Sequence, residues 1–118
     1  MNNSGDKKFQ KELNGGLVGL VLLAVLNQSS EDLYGYEIAK RLANGNEGVS
    51  LFKDGTIYPV LRALSASNLL TSRIVPSYAG PARRYYRITD QGRAVLAEWI
   101  VIWTGTRNFV ECFINAGH

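Results

Sequence analysis

The chain has 118 residues, near the usual size of one compact domain, and its 46% apolar and 19% charged residues with a mean hydropathy of −0.07 exclude a disordered or fibrous protein. The formal charge is a modest +3, and a single cysteine, Cys112, excludes an internal disulfide and any paired-cysteine metal knuckle. The longest apolar run, residues 17–26, is shorter than the roughly 20 residues a bilayer span needs, and Met1-Asn2-Asn3-Ser4-Gly5-Asp6-Lys7-Lys8 lacks the order of an export signal, so a cytoplasmic protein with no membrane span is expected.

Residues 1–8 are polar and read as a flexible N-terminal segment. From residue 9 to 26, Leu13, Leu17, Leu20, Val21, Ala24 and Val25 recur at helical spacing, while Val18, Leu22, Leu23 and Leu26 fill the other faces. A small domain cannot cover a helix all round, so part of this one is expected to meet a second chain or another long helix. After the polar break Asn27-Gln28-Ser29-Ser30, residues 33–42 predict a short amphipathic helix with Ile38, Ala39 and Leu42 inward, ended by Asn44-Gly45-Asn46. Asp54 reads as the N-cap of a third helix to about residue 67, with Ile57, Leu61 and Leu64 at core spacing, an early Pro59 that helices tolerate, and Asn68 as a left-handed terminator.

Residues 69–75 and 83–89 alternate like strands and flank a Pro-, Gly- and Ser-rich loop at 76–82, which predicts a hairpin with a long tip. Thr89 then caps a last helix whose Val95, Leu96, Trp99, Ile100, Ile102, Trp103, Phe109, Val110, Phe113 and Ile114 again exceed one face. Three helices, a hairpin and a further helix are the layout of a winged helix-turn-helix, in which the third helix enters the DNA major groove and the hairpin lies along the backbone. The expected fold class is therefore mainly α with a small β-hairpin: residues 9–89 form the winged-helix DNA-binding domain, and residues 90–118 form a C-terminal helix for dimerisation and a ligand pocket.

Charge follows the same layout. Residues 53–93 carry Lys53, Arg62, Arg73, Arg83, Arg84, Arg87 and Arg93 against only Asp54 and Asp90, an excess of five positive charges, so the rest of the chain is slightly acidic. Of these, Lys53 and Arg62 sit on the third helix and Arg73, Arg83, Arg84 and Arg87 on the hairpin, the two elements that a winged helix brings to phosphate. Ordinary edge-strand charge that discourages aggregation is the alternative meaning of the hairpin arginines.

Three strings also match a family. Tyr34-Gly35-Tyr36-Glu37-Ile38, then Gly55-Thr56-Ile57-Tyr58-Pro59 with Leu61, Arg62 and Leu64, then Arg83-Arg84-Tyr85-Tyr86-Arg87-Ile88-Thr89 with Gly92, together resemble the PadR family of bacterial winged-helix transcriptional regulators over about residues 13–113. The single C-terminal helix is similar to that of the smaller subfamily. The resemblance implies a homodimeric repressor that exchanges contacts between its first and last helices and releases DNA when a small hydrophobic or phenolic effector binds. Asp54 departs from the small uncharged residue often found there in the family and puts a negative charge near the DNA face.

The candidate DNA-binding residues are Tyr36, Lys53, Thr56, Tyr58, Arg62, Arg83 and Arg84. Gly35 allows a close chain entry to the second helix, with scaffolding the plainer role for its flanking rings and phosphate donation open to Tyr36. Thr56 and Tyr58 present hydroxyls at the helix end that favours phosphate, though Tyr58 also reads as a half-buried core ring. Arg62 lies one turn beyond Tyr58 and reaches phosphate or guanine. Strand alternation puts Arg83, Tyr85 and Arg87 on one face and Arg84, Tyr86 and Ile88 on the other; Tyr86 and Ile88 are expected in the core, and Arg83 and Arg84 beside the tip are expected to straddle the DNA backbone or minor groove.

Trp99 and Trp103, four apart on one helical face, are candidates for a flat aromatic slot across a two-fold axis, able to stack a planar aromatic effector. Packing alone is the alternative, favoured for Trp99; Leu13, Leu17 and Val21 are the partner candidates on the first helix. Cys112 reads as a small buried hydrophobe. No paired carboxylates, metal-spaced ligands or Gly-rich phosphate loop occur, and the only histidine is His118, so neither an enzyme nor a metal or cofactor site is expected. A double-stranded pseudo-palindromic operator and a second copy of the chain are the expected partners, with a protein-interaction module or a constitutive DNA binder as the alternatives.

Overall fold

The computed structural model describes residues 4–44 and 54–116. Along the chain run α1 (Ser4–Gln28), β1 (Leu33–Tyr34), α2 (Gly35–Asn44), α3 (Asp54–Ala66), β2 (Leu70–Val75), β3 (Arg83–Ile88) and α4 (Asp90–Ile114). This is the winged helix-turn-helix with an added C-terminal helix that the sequence predicts. Two element boundaries depart from expectation. The first helix begins at Ser4, so residues 4–8, read as a flexible tail, continue it; they carry no apolar periodicity, and Lys7, Lys8 and Asp6 are ordinary exposed helix positions.

The second departure concerns the wing. Residues 33 and 34, read as the start of a helix, form a strand paired antiparallel with β3, Leu33 opposite Tyr86 and Tyr34 opposite Tyr85. The sheet therefore has three strands in the order β1-β3-β2, with the hairpin register running from Leu70 opposite Ile88 to Val75 opposite Arg83. A two-residue strand is too short to show a period of two, and its apolar Leu33 fits a helix pattern equally well.

One core joins these elements. Leu22 and Leu23 of α1, Ile38 of α2, Ile57 and Leu61 of α3, Leu70 of β2, Tyr86 and Ile88 of β3 and Leu96 of α4 are all buried. At about 25 cal/mol per Å2 of apolar surface, each such side chain contributes roughly 1.5–3 kcal/mol by leaving water. Two glycines let backbone and ring approach closely: a Cβ on Gly92 would strike the Leu69 carbonyl, and one on Gly35 would strike the Tyr58 ring. Asn68 closes α3 at φ 64°, the left-handed conformation expected of it. Thr89 caps α4 by accepting from the Gly92 N–H at 2.9 Å, and its hydroxyl donates to the Asn68 carbonyl at 2.7 Å.

α1 spans 25 residues and, by length and composition alone, is long and apolar enough to cross a membrane, a test that the core helix of a globular domain also passes. Its Val18, Leu22, Leu23 and Leu26 nevertheless fill the centre of the domain, so it is the spine of the winged helix. The radius of gyration, 16.4 Å, exceeds the roughly 13 Å of a compact domain of about 100 residues, because α4 runs on past the core. From Ile100 to the end of that helix every residue is exposed.

Candidate nucleic-acid interface

β1, α2, α3 and the wing meet at one recess lined by Tyr34, Tyr36, Tyr58, Arg62, Arg83 and Arg84. Each reaches it for a local reason. Tyr36 stands exposed in the first turn of α2. Tyr58 lies across Gly35, which has no side chain to exclude the ring, and remains 38% exposed, so it is partly scaffold and partly surface. Arg62 follows one turn later on the same side of α3 and is exposed. Arg83 and Arg84 open β3 beside the wing tip, both exposed, and Arg84 donates from Nη1 to the Ser72 Oγ at 3.1 Å across the hairpin.

Tyr86 reports the field of this recess from below. Burial pushes its phenol above the ordinary value, while Arg84 on the wing and Arg62 on α3 both pull it down. Two cations from different elements thus act on one phenol. Thr56 is exposed in the first turn of α3 without lining the recess, and Lys53 lies outside the described residues.

The remaining hairpin arginines are differently employed. Arg87 donates from Nε to the Asp32 carboxylate at 2.7 Å, and Arg73 does so at 3.1 Å. Asp32, with its side chain 12% exposed, is held below the usual carboxylate value, first by the Arg87 hydrogen bond and, against the cost of its own burial, by Arg73. Sequence reading counted both arginines with the phosphate-facing charge and missed Asp32, which lies 41 and 55 positions away from its partners. The alternation that puts Arg87 and Tyr85 on one strand face calls for a counter-charge there, but not for this one.

Elsewhere on the surface, α1 and α4 flank an open apolar groove of about 640 Å3. Leu13, Leu17, Trp99 and Trp103 all line it, and Val21 does not, being packed against the core instead. The Trp99 indole rests on Gly19 and on the core, whereas Trp103 is 37% exposed. Cys112 is exposed, in contrast to the buried position expected of it, because α4 carries it past the core. Among the described residues no cluster of His, Cys, Asp and Glu is arranged to hold a metal ion.

Residues 22–98 match the family model for the PadR-like transcriptional regulators. The chain belongs to this family. It is 38% identical to the transcriptional regulator Rv3488 of Mycobacterium tuberculosis over 66% of this chain and 70% of that one. With the probable transcriptional regulator Rv1176c of the same organism it shares 32% identity over 68% of its length, and spans 41% of that longer protein. Among solved structures, a transcriptional regulator from Clostridium thermocellum superposes with a TM-score of 0.80 at 25% identity, covering 88% of this chain and 99% of that one. Bacillus subtilis PadR, solved in complex with operator DNA, superposes with a TM-score of 0.64 at 24% identity over 72% of this chain and 47% of that one. PadR-like membership makes the chain a transcriptional regulator and not an enzyme.

Proposed function

We propose that this PadR-like chain acts in the cytoplasm as a homodimeric repressor that binds a pseudo-palindromic operator and lets go when a small planar, hydrophobic or phenolic effector seats against Trp103. The observation that carries the DNA-binding part is the recess itself: α3 supplies Arg62, the wing supplies Arg83 and Arg84, and both point to one surface with Tyr36 and Tyr58 between them. Guanidinium groups on a helix and a hairpin suit phosphates on either side of a groove, and the tyrosine hydroxyls suit positioning contacts. Bacillus subtilis PadR, which shares the fold, is solved in complex with operator DNA, and this supports a DNA partner.

Dimerisation is supported by the surface that one chain leaves in water. Ile100, Val101, Ile102, Phe109, Val110, Phe113 and Ile114 of α4 and Phe9 and Leu13 of α1 are all exposed, more apolar surface than a monomer of this size keeps. Two winged helices joined there would read half-sites about one helical turn apart, ~34 Å, or a multiple of it. The test is fluorescence anisotropy with duplexes from the region upstream of the coding sequence. Tight binding to one duplex, weakening steeply as salt rises, is expected; equal, weak binding to every duplex would refute sequence-specific recognition. The effector part is tested by quenching of tryptophan emission with planar phenolic compounds, expected in the parent and lost in Trp103→Ala; equal quenching in both would remove Trp103 from the site.

A further inference from the structure

Arg83 and the Asp32-bound arginines share a face of the sheet, and Arg73 too lies over a ring, that of Tyr85 at 5.1 Å, but only the charges of Arg73 and Arg87 are met by a carboxylate. The guanidinium of Arg83 lies over the Tyr34 ring, its Cζ 4.5 Å from the ring centroid. Among the described residues no carboxylate pairs with it, whereas Arg73 and Arg87 both pair with Asp32. A carboxylate fixes an arginine by cancelling its charge. An aromatic face fixes it and leaves the full positive charge and the N–H edges free to meet another group.

The ring is itself immobilised from several directions. Tyr34 closes β1 opposite Tyr85 on β3, and its backbone N–H donates to the Glu37 Oε1 at 3.1 Å, half of a capping box at the start of α2. Its ring packs against Tyr85 at 5.4 Å and stacks with Tyr36 at 6.3 Å and 26°. Tyr34 is thus tied to β3, α2 and the Tyr36 face at once, and Arg83 rests on the result.

We propose that Tyr34 is a positioning residue for DNA recognition: its ring pre-orders the Arg83 guanidinium, still fully charged, towards the phosphate backbone before DNA arrives. The proposal rests on the DNA-binding reading given above. An arginine left loose would lose rotamer freedom on binding, and the ring removes that cost in advance. Asp32 does the converse for Arg73 and Arg87, so the wing presents Arg83 and Arg84 and withholds Arg73 and Arg87.

The test uses the full-length protein and its upstream duplex. Tyr34→Phe keeps the ring face and is expected to bind DNA within about two-fold of the parent, while Tyr34→Leu is expected to bind about five- to ten-fold more weakly with an unchanged salt slope, since no charge is lost. Arg83→Ala is expected to weaken binding and also to flatten the slope; on that background Tyr34→Leu adds nothing further. A Tyr34→Leu loss of equal size with and without Arg83 overturns the proposal, as does parent-like binding by Tyr34→Leu. If Arg83→Ala itself changes neither affinity nor slope, the wing assignment falls and takes the proposal with it. In the free protein, NMR of the Arg83 side chain gives a reading independent of DNA and of how Tyr34→Leu folds: ring-current-shifted signals are expected in the parent and in Tyr34→Phe, and their absence from the parent overturns the proposal.

Discussion

The face built from β1, α2, α3 and the wing holds its side chains through contacts within the chain, whereas the face built from α1 and α4 leaves large apolar side chains exposed. On the first, each hairpin arginine has a tether: Arg84 on Ser72, Arg83 on the Tyr34 ring, Arg73 and Arg87 on Asp32. On the second, Phe109 and Phe113 meet edge to face at 5.1 Å with nothing of the described chain covering them, both about two-thirds exposed. A surface meant for a polyanion must be pre-ordered and wet; one meant for a second protein chain can wait for its partner to exclude water.

The harshest test of that contrast is a charge on the unfinished side. Ile102→Asp, at a position exposed in a lone subunit, should leave an isolated domain's stability within about 0.5 kcal/mol. With two linked reading heads it should instead convert dimer to monomer in sedimentation and lower operator affinity by about 100-fold or more. An unchanged mass would mean that α4 is not the joint. Next in size, Arg83→Ala with Arg84→Ala should cost roughly 10- to 100-fold in affinity and reduce the salt slope by about 0.9 for each phosphate that is no longer neutralised, at an unchanged melting temperature. Parent-like titrations would remove the wing from the interface.

Gly92→Ala sharpens the comparison from the hinge between the two faces. Its new methyl meets the Leu69 carbonyl, a backbone atom that cannot swing aside, so urea denaturation should show a loss of about 1–3 kcal/mol. The smallest effect belongs to Asp32→Asn, because Arg73 and Arg87 are largely solvated and exposed ion pairs contribute about 0–1 kcal/mol. The folded-state value of Asp32 is depressed, so its contribution is complete above the ordinary carboxylate value of 3.8 and fades as pH falls through the lowered one. The stability difference between parent and variant should therefore be present at neutral pH and vanish in strong acid; a gap that persists there would assign Asp32 a role beyond its charge.

Much of this was written locally. Thr89 as a cap, Asn68 as a left-handed stop, and the burial of Tyr86 and Ile88 all depend on neighbours a few residues away or on a strand's period of two. What escaped depends on distant partners. β1 exists only because β3 comes to lie beside it, Asp32 acquires its purpose only from Arg73 and Arg87, and Tyr34 gains a cation only when the wing folds over. Arg62 with Arg83 and Arg84 lay between the two kinds: the charge excess marked them, and the recess they share came from the fold.

Only Thr89 separates the last residue of β3 from the first of α4, and its hydroxyl is pinned to the carbonyls of Asn68 and Leu69. Wing and long helix are therefore joined without a flexible linker, and a tilt of one is passed directly to the other. In the dimer proposed above, clasped through α4, a few degrees of change in the crossing of those helices would sweep both hairpin tips through a wide arc, and the proposed effector would thereby spoil the fit to DNA without touching any group that grips it.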